Sequence, residues 1–251
     1  MTQISAVIIT FNEELNIRRC IESLILVVDE IIIIDSFSTD KTKEICNQYP
    51  VKFIQTRWMG YSQTKNYGNS LSTNNYILSI DADEALSPAL QEEIRFLKEK
   101  KLNGTYSINR ITNYCGKWIH HSGWFPDWKL RLFPKDICLW NNSIVHEELE
   151  CLSSLPSNKL KGLLEHYSYY SYKQHQEKAD NYSILTAQKY FEKKKSSNAL
   201  SPIVSAISRF LSMYIFKLGI LDGYSGYKIA MISAKSNHLK YKELNRLYRN
   251  N

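Results

Sequence analysis

The stretch Glu30-Ile-Ile-Ile-Ile-Asp35 is the part of this sequence that says most about the fold. Its four consecutive isoleucines show no alternation of polar and apolar residues, which is typical of a strand buried on both faces of a parallel sheet. Other short strand-like runs lie on either side, separated by helical patterns, at residues 4–10, 51–55 and 76–80. Repeated strand–helix units of this length predict a doubly wound, mainly parallel α/β sheet with its ligand site at the carboxyl ends of the strands.

Asn12 follows the first strand-like run, and its type and position predict the N-cap of a helix. Asn is a favoured capping residue, and Glu13 and Glu14 would then lie in the first helical turn, where acidic side chains are favourable. The pattern therefore predicts a helix that begins directly after Asn12.

The pattern changes after about residue 103, and this change predicts the domain organisation. Shorter strand-like runs and loops follow over residues 104–165, and from about Ser171 the chain becomes helical and basic. The predicted division is a main domain over 1–170, with halves at 1–102 and 103–170, and a helical C-terminal extension over 171–251.

The net charge of +7 is unevenly distributed along the 251 residues. Residues 1–188 contain 20 Lys and Arg against 22 Asp and Glu, whereas residues 189–251 contain 12 against 3. The whole basic surplus thus lies in the last quarter of the chain. Such asymmetry indicates an anionic partner, either nucleic acid or an acidic membrane surface.

The five cysteines are scattered, odd in number and without C-x-x-C spacing. We therefore expect neither a disulfide framework nor a zinc site, and a reducing compartment is the simpler interpretation. They are Cys20, Cys46, Cys115, Cys138 and Cys151.

From the sequence we expect neither a signal peptide nor a membrane-spanning helix. The N-terminus enters a strand-like run at once, without the basic-then-apolar order of a signal peptide. The longest apolar stretch, about 203–221, is interrupted by Arg209 and Lys217, which makes it a poor spanning helix.

Three carboxylates follow predicted strands: Asp35 after the second, and Asp81 and Asp83 after the fourth. Two carboxylates separated by one small residue, Ala82, can hold a hard divalent cation together with a phosphorylated substrate. An acidic surface turn is the alternative interpretation of this cluster on its own.

Four motifs together resemble the family 2 glycosyltransferases of GT-A fold in content, order and spacing. They are Val7-Ile-Ile-Thr-Phe-Asn-Glu-Glu14, Asp35-Ser-Phe-Ser-Thr-Asp40, Lys65-Asn-Tyr-Gly68 and Ile80-Asp-Ala-Asp-Glu84. The resemblance covers about residues 3–150. It implies an enzyme that moves a hexose from a nucleotide sugar, UDP-linked in particular, with 1–102 as the nucleotide-binding half and 103–170 as the acceptor-binding half.

The same resemblance implies roles for individual residues. Asp35 would accept a hydrogen bond from the nucleobase, and Lys65 would approach the nucleotide or phosphate. Asp81, with Ala82, would lie near the ribose and the metal, and Asp83 would bind a divalent Mn²⁺ or Mg²⁺ directly. The base and ribose pocket would be lined by Thr10, Phe11, Asn12 and Glu13.

Residues 116–133 and Val145-His-Glu-Glu148 resemble the subgroup that includes lipopolysaccharide inner-core β-glucosyltransferases. This implies inversion at the anomeric carbon and a saccharide or glycolipid acceptor such as lipopolysaccharide core. Inversion by direct displacement needs a carboxylate that takes the proton of the acceptor hydroxyl. Asp127 is the predicted base, with Glu147 and Glu148 as rivals.

Two further residues of this half are candidates for the donor site. His146 is predicted to complete the metal shell, since imidazole suits Mn²⁺. Arg131 is predicted to pair with the diphosphate through its planar guanidinium. A structural role is the alternative for each.

The C-terminal segment from Ser201 to Leu218 has polar residues at roughly helical spacing within an otherwise apolar sequence. Such a helix either docks on the main domain or lies in a membrane interface beside anionic lipid. With the basic surplus, this predicts a cytoplasmic protein in peripheral contact with the inner face of the cytoplasmic membrane.

Other functional classes are less compatible with the sequence. A sugar nucleotidyltransferase of related fold would usually show a Gly-rich phosphate loop near its first strand, and residues 10–20 have none. A basic membrane-binding or nucleic-acid-binding module without catalysis is a further alternative. The lysines surround an amphipathic helix, however, and no aromatic or helix-turn-helix motif for contacting bases accompanies them, so no nucleic-acid partner is expected. No G-x-G-x-x-G follows the first strand, which disfavours a dinucleotide oxidoreductase.

Overall fold

The computed structural model describes residues 1–141, 148–151 and 155–250. The chain divides into two compact units, Met1–Arg110 with Asp127–Tyr167, and Ile111–Pro126 with Ser168–Asn251. The last boundary between the units, at 167/168, lies close to the predicted one at 170/171. Residues 111–126, which we predicted within the main domain, instead group with the C-terminal helices.

The first unit begins with four strand–helix repeats, as the sequence predicts. The strands are β1 (Ile4–Thr10), β2 (Glu30–Asp35), β3 (Lys52–Gln55) and β4 (Tyr76–Asp81), and the helices between them are α1 (Ile17–Leu24), α2 (Thr42–Cys46) and α3 (Tyr61–Ser70). The strands are parallel and lie in the order β3-β2-β1-β4. All four isoleucines of β2 are buried, because helices or other core residues cover both faces of the strand.

The other strands extend this sheet beyond β4. They are β5 (Glu84–Leu86), β6 (Thr105–Tyr114), β7 (Lys117–Ile119), β8 (Trp128–Pro134) and β11 (Ser157–Tyr169), with β9 (Cys138–Trp140) and β10 (Leu149–Cys151) in a separate hairpin. The sheet continues in the order β4-β8-β6-β11-β5, and β7 pairs with β6. β8 is antiparallel to β4 and β6, and β11 is antiparallel to β5. This confirms the predicted α/β architecture of GT-A type.

Helix α4 (Pro88–Glu99) follows β5 and covers the sheet through Leu90 and Ile94, which are both fully buried. Its start is encoded locally. The Ser87 hydroxyl accepts a hydrogen bond from the Leu90 N–H, and proline occupies the first helical turn, where its missing N–H costs nothing.

Helix α3 lies unusually close to the sheet, and Gly68 is the reason. A Cβ added at this glycine would lie 2.5 Å from Cγ1 of Val7 on β1 and 3.0 Å from Cγ1 of Ile34 on β2. Only hydrogen fits in that space. This close approach carries Lys65, one turn earlier on α3, into the interior of the unit, where it is 3% exposed.

Asn12 does not cap a helix, so this prediction is wrong. The helix begins at Ile17, after Asn16. Asn12 has a φ of +55°, its backbone N–H donates to the Ser38 hydroxyl, and its side-chain oxygen accepts from the Thr39 N–H. The side chain is therefore used to hold the loop after β2 rather than to cap the following helix.

The expectation of unpaired cysteines is wrong for one pair. Cys138 on β9 lies directly opposite Cys151 on β10, and the two form a disulfide. The spacing of 13 residues gave no motif signal, because the contact depends on the register of the hairpin. Cys20, Cys46 and Cys115 have free thiols.

The second unit is mainly helical, as predicted for the extension. Its elements are α5 (Tyr172–Glu192), α6 (Ser201–Leu211), a π-helical turn (Ser212–Phe216), a 3₁₀ turn (Gly219–Asp222) and α7 (Gly223–Arg249). Asp222 explains why residues 111–126 belong here. Its buried carboxylate accepts hydrogen bonds from the backbone N–H groups of His120 and His121 and from the Ser122 hydroxyl.

Candidate active site

The register of the parallel strands brings the predicted polar residues to one edge of the sheet. Thr10 at the end of β1 pairs with Asp35 at the end of β2, and Ile9 pairs with Asp81 at the end of β4. Asp35 in turn pairs with Gln55 on β3. The carboxyl ends of three strands therefore place an acid or a hydroxyl at a common edge, where open α/β sheets bind their ligands.

Asp35 is fully buried, and the loop that follows it satisfies its carboxylate. One oxygen accepts from the Ser38 hydroxyl, and the other accepts from the Ser38 N–H at 3.0 Å and from Nε2 of Gln55 at 2.9 Å. Gln55 was not predicted, since a glutamine at the end of a short strand carries no motif signal. These partners fix the carboxylate at the sheet edge beside the Asn12 loop.

The remaining residues of the first motif lie around this loop. Phe11 is 56% exposed, so its ring is free to cover a ligand. Glu13 binds the side chain of Asn16 at 2.7 Å, and its own N–H donates to Thr42. Among the described residues, the buried Thr10 hydroxyl has no hydrogen-bond partner.

Asp81 is held between two cations. Its Oδ1 lies 3.1 Å from Nζ of Lys65, and its Oδ2 lies 2.8 Å from Nη2 of Arg131. Burial opposes ionisation of Asp81, but the charges of Arg131 and Lys65 outweigh it and hold its pKa well below the usual range. Asp81 is therefore ionised at neutral pH, and the buried Ala82 beside it leaves room for this packing.

Trp140 positions Lys65 from the opposite side. The ammonium lies 4.7 Å from the centre of the Trp140 ring. The neighbouring Asn66 bonds to the backbone of Trp140 twice, donating to its carbonyl at 2.8 Å and accepting from its N–H at 3.0 Å. The Lys65-Asn66 motif thus joins α3 to β9 and aims the lysine at Asp81.

Glu84 is a site residue that we did not predict individually. Its side chain is fully buried, and its Oε1 accepts from Nη2 of Arg131 at 2.6 Å and from Nη1 of Arg110 at 3.1 Å. Its Oε2 accepts from the Asp81 N–H at 3.0 Å. Glu84 therefore connects the acidic strand end to two arginines on β6 and β8.

Arg131 is only 4% exposed, and its Nη2 is shared by Asp81 and Glu84. Burial alone would lower its pKa, but the two carboxylates raise it. In this structure the guanidinium therefore organises the acids, whereas we had predicted a fork directed at a diphosphate.

Asp127 continues the chain of ion pairs. One oxygen lies 2.8 Å from Nη2 of Arg110, and the other lies 3.0 Å from Nζ of Lys129. Burial raises the pKa of Asp127, but Arg110 and Lys129 outweigh this effect and lower it overall. Asp127 is thus ionised and able to accept a proton, although the two cations weaken it as a base.

Asp83 contacts the imidazole of His166, a residue that we did not predict from the sequence. Its Oδ2 lies 3.2 Å from Nε2 of His166 on β11, which pairs with β5 so that His166 stands opposite Glu84. The two residues are 83 positions apart, so only the strand pairing reveals the contact. A carboxylate and an imidazole with converging donor atoms suit a borderline cation such as Mn²⁺.

The predicted ligand His146 and the rival base Glu147 lie outside the described residues. Among the residues that the structure does describe, no three His, Cys, Asp or Glu side chains converge as a complete metal shell. Asp83 and His166 alone would therefore supply two ligands, and a bound cation would take its others from substrate oxygens or water.

A cavity of about 640 Å³ opens beside Asp81. Its lining combines cations, acids and two indole rings, and the exposed Glu148 stands at its wall. The lining residues are Lys65, Asp81, Arg110, Trp128, Lys129, Leu130, Arg131, Trp140, Glu148 and Leu149. Flat aromatic faces beside charged groups suit a sugar attached to a phosphate.

Comparisons with known proteins point to one enzyme family for most of this chain. The glycosyl transferase family 2 model matches residues 5–152, which include all four motifs of the first unit. A glycosyltransferase of Rickettsia felis, itself uncharacterized, is 33% identical over 261 residues, which cover 97% of this chain and 90% of that protein.

Two further likenesses cover very different shares of the chain. The lipopolysaccharide core biosynthesis glycosyltransferase LpsC of Rhizobium meliloti is 39% identical over 94 residues, 36% of this chain and 34% of LpsC. The crystal structure of S. aureus TarS 1–349 in complex with UDP covers 99% of this chain and 92% of that chain, with 13% identity and a TM-score of 0.49.

Proposed function

Since this chain belongs to glycosyl transferase family 2, we propose that it transfers a hexose from a UDP-sugar to a saccharide or glycolipid acceptor. The observation that carries the proposal is the convergence of Thr10, Asp35 and Asp81 at one sheet edge beside the cavity. Motif residues that are distant in sequence meet there at the place where such a sheet takes its ligand.

The donor would bind along this edge. A carboxylate has about four acceptor positions, so Asp35 keeps capacity for a nucleobase N–H in addition to its bonds with Ser38 and Gln55. The exposed ring of Phe11 is suited to stack on the base. Lys65, held against Trp140, would carry its positive charge towards the diphosphate.

Asp83 and His166 are the proposed ligands of a divalent cation, Mn²⁺ or Mg²⁺, and their 3.2 Å contact supports this pairing. Such a cation, when bound, neutralises charge on the departing diphosphate. His146, predicted from sequence for the same shell, stays a prediction. Asp81 is already paired with Lys65 and Arg131, so its part is to orient those cations.

On the acceptor side we propose direct displacement with inversion, in which a carboxylate takes the proton of the acceptor hydroxyl. Asp127 is the predicted base and is held in its ionised form by Arg110 and Lys129. Glu148 is the rival among the described residues, because it is exposed at the cavity wall. The indole of Trp128, which also lines the cavity, offers a face for the acceptor sugar.

Lipopolysaccharide core is the acceptor class that we propose. The sequence motifs of the second half and the partial identity with LpsC support it. A glycolipid acceptor requires the enzyme to work at a membrane surface, and the basic C-terminal quarter supports peripheral contact at the inner face of the cytoplasmic membrane.

The test is a panel of sugar nucleotides with the purified full chain, with and without Mn²⁺. We expect one UDP-sugar to raise the melting temperature more in the presence of Mn²⁺, because a ligand that binds only the folded state stabilises it. With a lipopolysaccharide-core acceptor the nucleotide product should be UDP. Release of pyrophosphate from a nucleoside triphosphate and a sugar phosphate would instead establish a nucleotidyltransferase.

A further inference from the structure

The second unit exposes a row of apolar side chains on α6 and the π-helical turn that follows it. Along α6 they recur every three or four residues, which places them on one face of the helix. Their exposed fractions run from 39% to 80%, for Ile203, Val204, Ile207, Leu211, Ile215 and Phe216. Four of them line one groove of about 440 Å³, namely Val204, Ile207, Leu211 and Phe216.

The apolar surface continues beyond the π-helical turn. Four further side chains are at least half exposed, namely Leu218, Ile220, Leu221 and Tyr224. Single exposed apolar residues are ordinary, but a continuous series of them marks an interaction surface. We call α6, the two turns and Tyr224 the α6 surface.

The opposite side of α6 already packs within its own unit. Pro202 on α6 and Met213 in the following π-helical turn are buried, and the ring of Phe210 contacts those of Tyr214 and Tyr227. The helix is therefore fixed by one face while the other remains open. Because α6 is apolar on both sides, burial of its open side requires a further binding partner outside its own unit.

Charge indicates the chemistry of that partner. Between Lys193 and Lys242 the sequence contains one acidic residue, Asp222, which is 2% exposed and bound by backbone N–H groups. The same stretch contains nine basic residues, counting both ends. The segment that contains the α6 surface is thus rich in basic residues, and its one acid is buried, which is complementary to an anionic layer.

Three of these cations are close together on the second unit. Burial and the charges of Arg209 and Lys195 lower the pKa of Lys240. Burial is the largest cause of the shift, and the repulsion from Arg209 and Lys195 adds to it. A second copy of this chain would instead bring two basic surfaces face to face, which disfavours self-association through the α6 surface.

The helices of the second unit are better suited to lie on a membrane surface than to span a membrane. No single described helix has the length and hydropathy of a membrane span; Ser201–Phe216 and Gly219–Arg249 reach them only as a pair bent by 73°. The second member of that pair carries eight charged residues, namely Asp222, Lys228, Lys235, Lys240, Lys242, Glu243, Arg246 and Arg249.

We propose that the α6 surface lies in the interface of a membrane that contains anionic lipid. Its apolar side chains would enter the boundary between headgroups and acyl chains, and the neighbouring lysines and arginines would meet the lipid phosphates. This rests on the membrane contact proposed above and names the residues that make it. It does not depend on which sugar or nucleotide the first unit binds.

The experiment is co-sedimentation of the full chain with vesicles of phosphatidylcholine alone, or with about one third phosphatidylglycerol. The test variant is Ile207→Ser with Phe216→Ser. The matched control is Leu26→Ser with Phe96→Ser, which removes two apolar side chains that are 77% and 54% exposed on the first unit. Because all four side chains are exposed, circular dichroism should show unchanged helix content in both variants.

We expect the wild-type chain and the control to bind the anionic vesicles more tightly than the neutral ones. The test variant should lose about tenfold or more in partitioning, since two apolar side chains no longer enter the interface. Higher salt should weaken the binding that remains.

Absence of wild-type binding to either vesicle, or equal loss in the test and control variants, would overturn the proposal. A test variant that binds vesicles normally but no longer associates with itself in light scattering would assign the α6 surface to a second copy. UDP-dependent thermal stabilisation, measured on the same samples, reports on the first unit separately. If UDP does not stabilise the wild-type chain, this counts against the proposed function. The vesicle result would still decide the proposal about the α6 surface.

Discussion

Arg131 and Glu84 form an ion pair in which both side chains are withdrawn from solvent. Nη2 of Arg131 lies 2.6 Å from Oε1 of Glu84, and the two side chains are 4% and 0% exposed. The pair stands at the centre of a series of alternating charges. In order, these are Lys65, Asp81, Arg131, Glu84, Arg110, Asp127 and Lys129.

Replacement of Glu84 by Gln should destabilise the protein strongly, because the buried Arg131 and the partly buried Arg110 would lose the carboxylate that they share. Breaking one partner of a buried ion pair costs about 3–5 kcal/mol. Urea denaturation gives the change in the free energy of unfolding. Glu22→Gln is the control, since its ion pair with Arg18 is exposed and should contribute at most about 1 kcal/mol. Equal effects of the two substitutions would show that the buried network does not support the fold.

Asp81 should make stability depend on pH in a defined direction. Its folded-state pKa lies well below that of an unfolded aspartate, so its stabilising contribution is fully present above about pH 3.9 and is lost as the pH falls further. The stability difference between the wild-type chain and Asp81→Asn should therefore be constant at neutral pH and shrink in acid. A difference that grows as the pH falls would contradict the ion pairs with Lys65 and Arg131.

Asp83→Ala and His166→Ala should each reduce the additional thermal stabilisation that Mn²⁺ gives to the UDP-bound protein. Mutation of a residue that only orients a metal ligand already weakens metal affinity by about 10–100-fold. Loss of one of the two protein ligands should therefore weaken it by about tenfold or more. The exposed His238 provides the control substitution, His238→Ala. Full sugar transfer by Asp83→Ala in the presence of a chelator would refute the metal-assisted mechanism.

Asp127→Asn should leave UDP-sugar binding intact and lower transfer by about 10²–10⁴-fold, the usual contribution of a general base. Because Arg110 and Lys129 lower the pKa of Asp127, its base form should persist throughout the range from about pH 5 to 7, and transfer should change little there. Glu148→Gln is the parallel variant. Normal turnover of Asp127→Asn with loss of activity in Glu148→Gln would move the base to Glu148.

Gly68→Val should destabilise the first unit, because the new side chain would overlap Val7 and Ile34 in the core. Overpacking of this kind typically costs about 1–3 kcal/mol or more. The control is Ser70→Val on the same helix, where the side chain is exposed. If both variants have the wild-type melting temperature, α3 does not lie as close to the sheet as described.

The parallel half of the fold follows from local sequence. The isoleucines of β2 predict a strand buried on both faces, and the structure has it. The start of α4 is likewise set by two neighbouring residues, Ser87 and Pro88. Asn12 shows the limit of such signals. A residue that is favourable as an N-cap is also favourable at positive φ, and the loop contacts with Ser38 and Thr39 decided between them.

The candidate site was predictable where it lies at the ends of parallel strands. Asp35 and Asp81 could be placed at one edge because the carboxyl ends of all the parallel strands lie on the same side of the sheet. His166 could not be placed beside Asp83, since their contact depends on β11 pairing with β5. The buried position of Glu84 was hidden for the same reason, because its arginine partners come from β6 and β8.

The bond between Cys138 and Cys151 turns one wall of the cavity into a covalent ring. Trp140 and Glu148 both belong to that ring, the first beside Lys65 and the second at the cavity wall. Opening the ring with a reductant gives this part of the backbone more unfolded conformations without altering any charged group of the site. This wall of the cavity is therefore sensitive to the thiol–disulfide balance of its surroundings as well as to its own sequence.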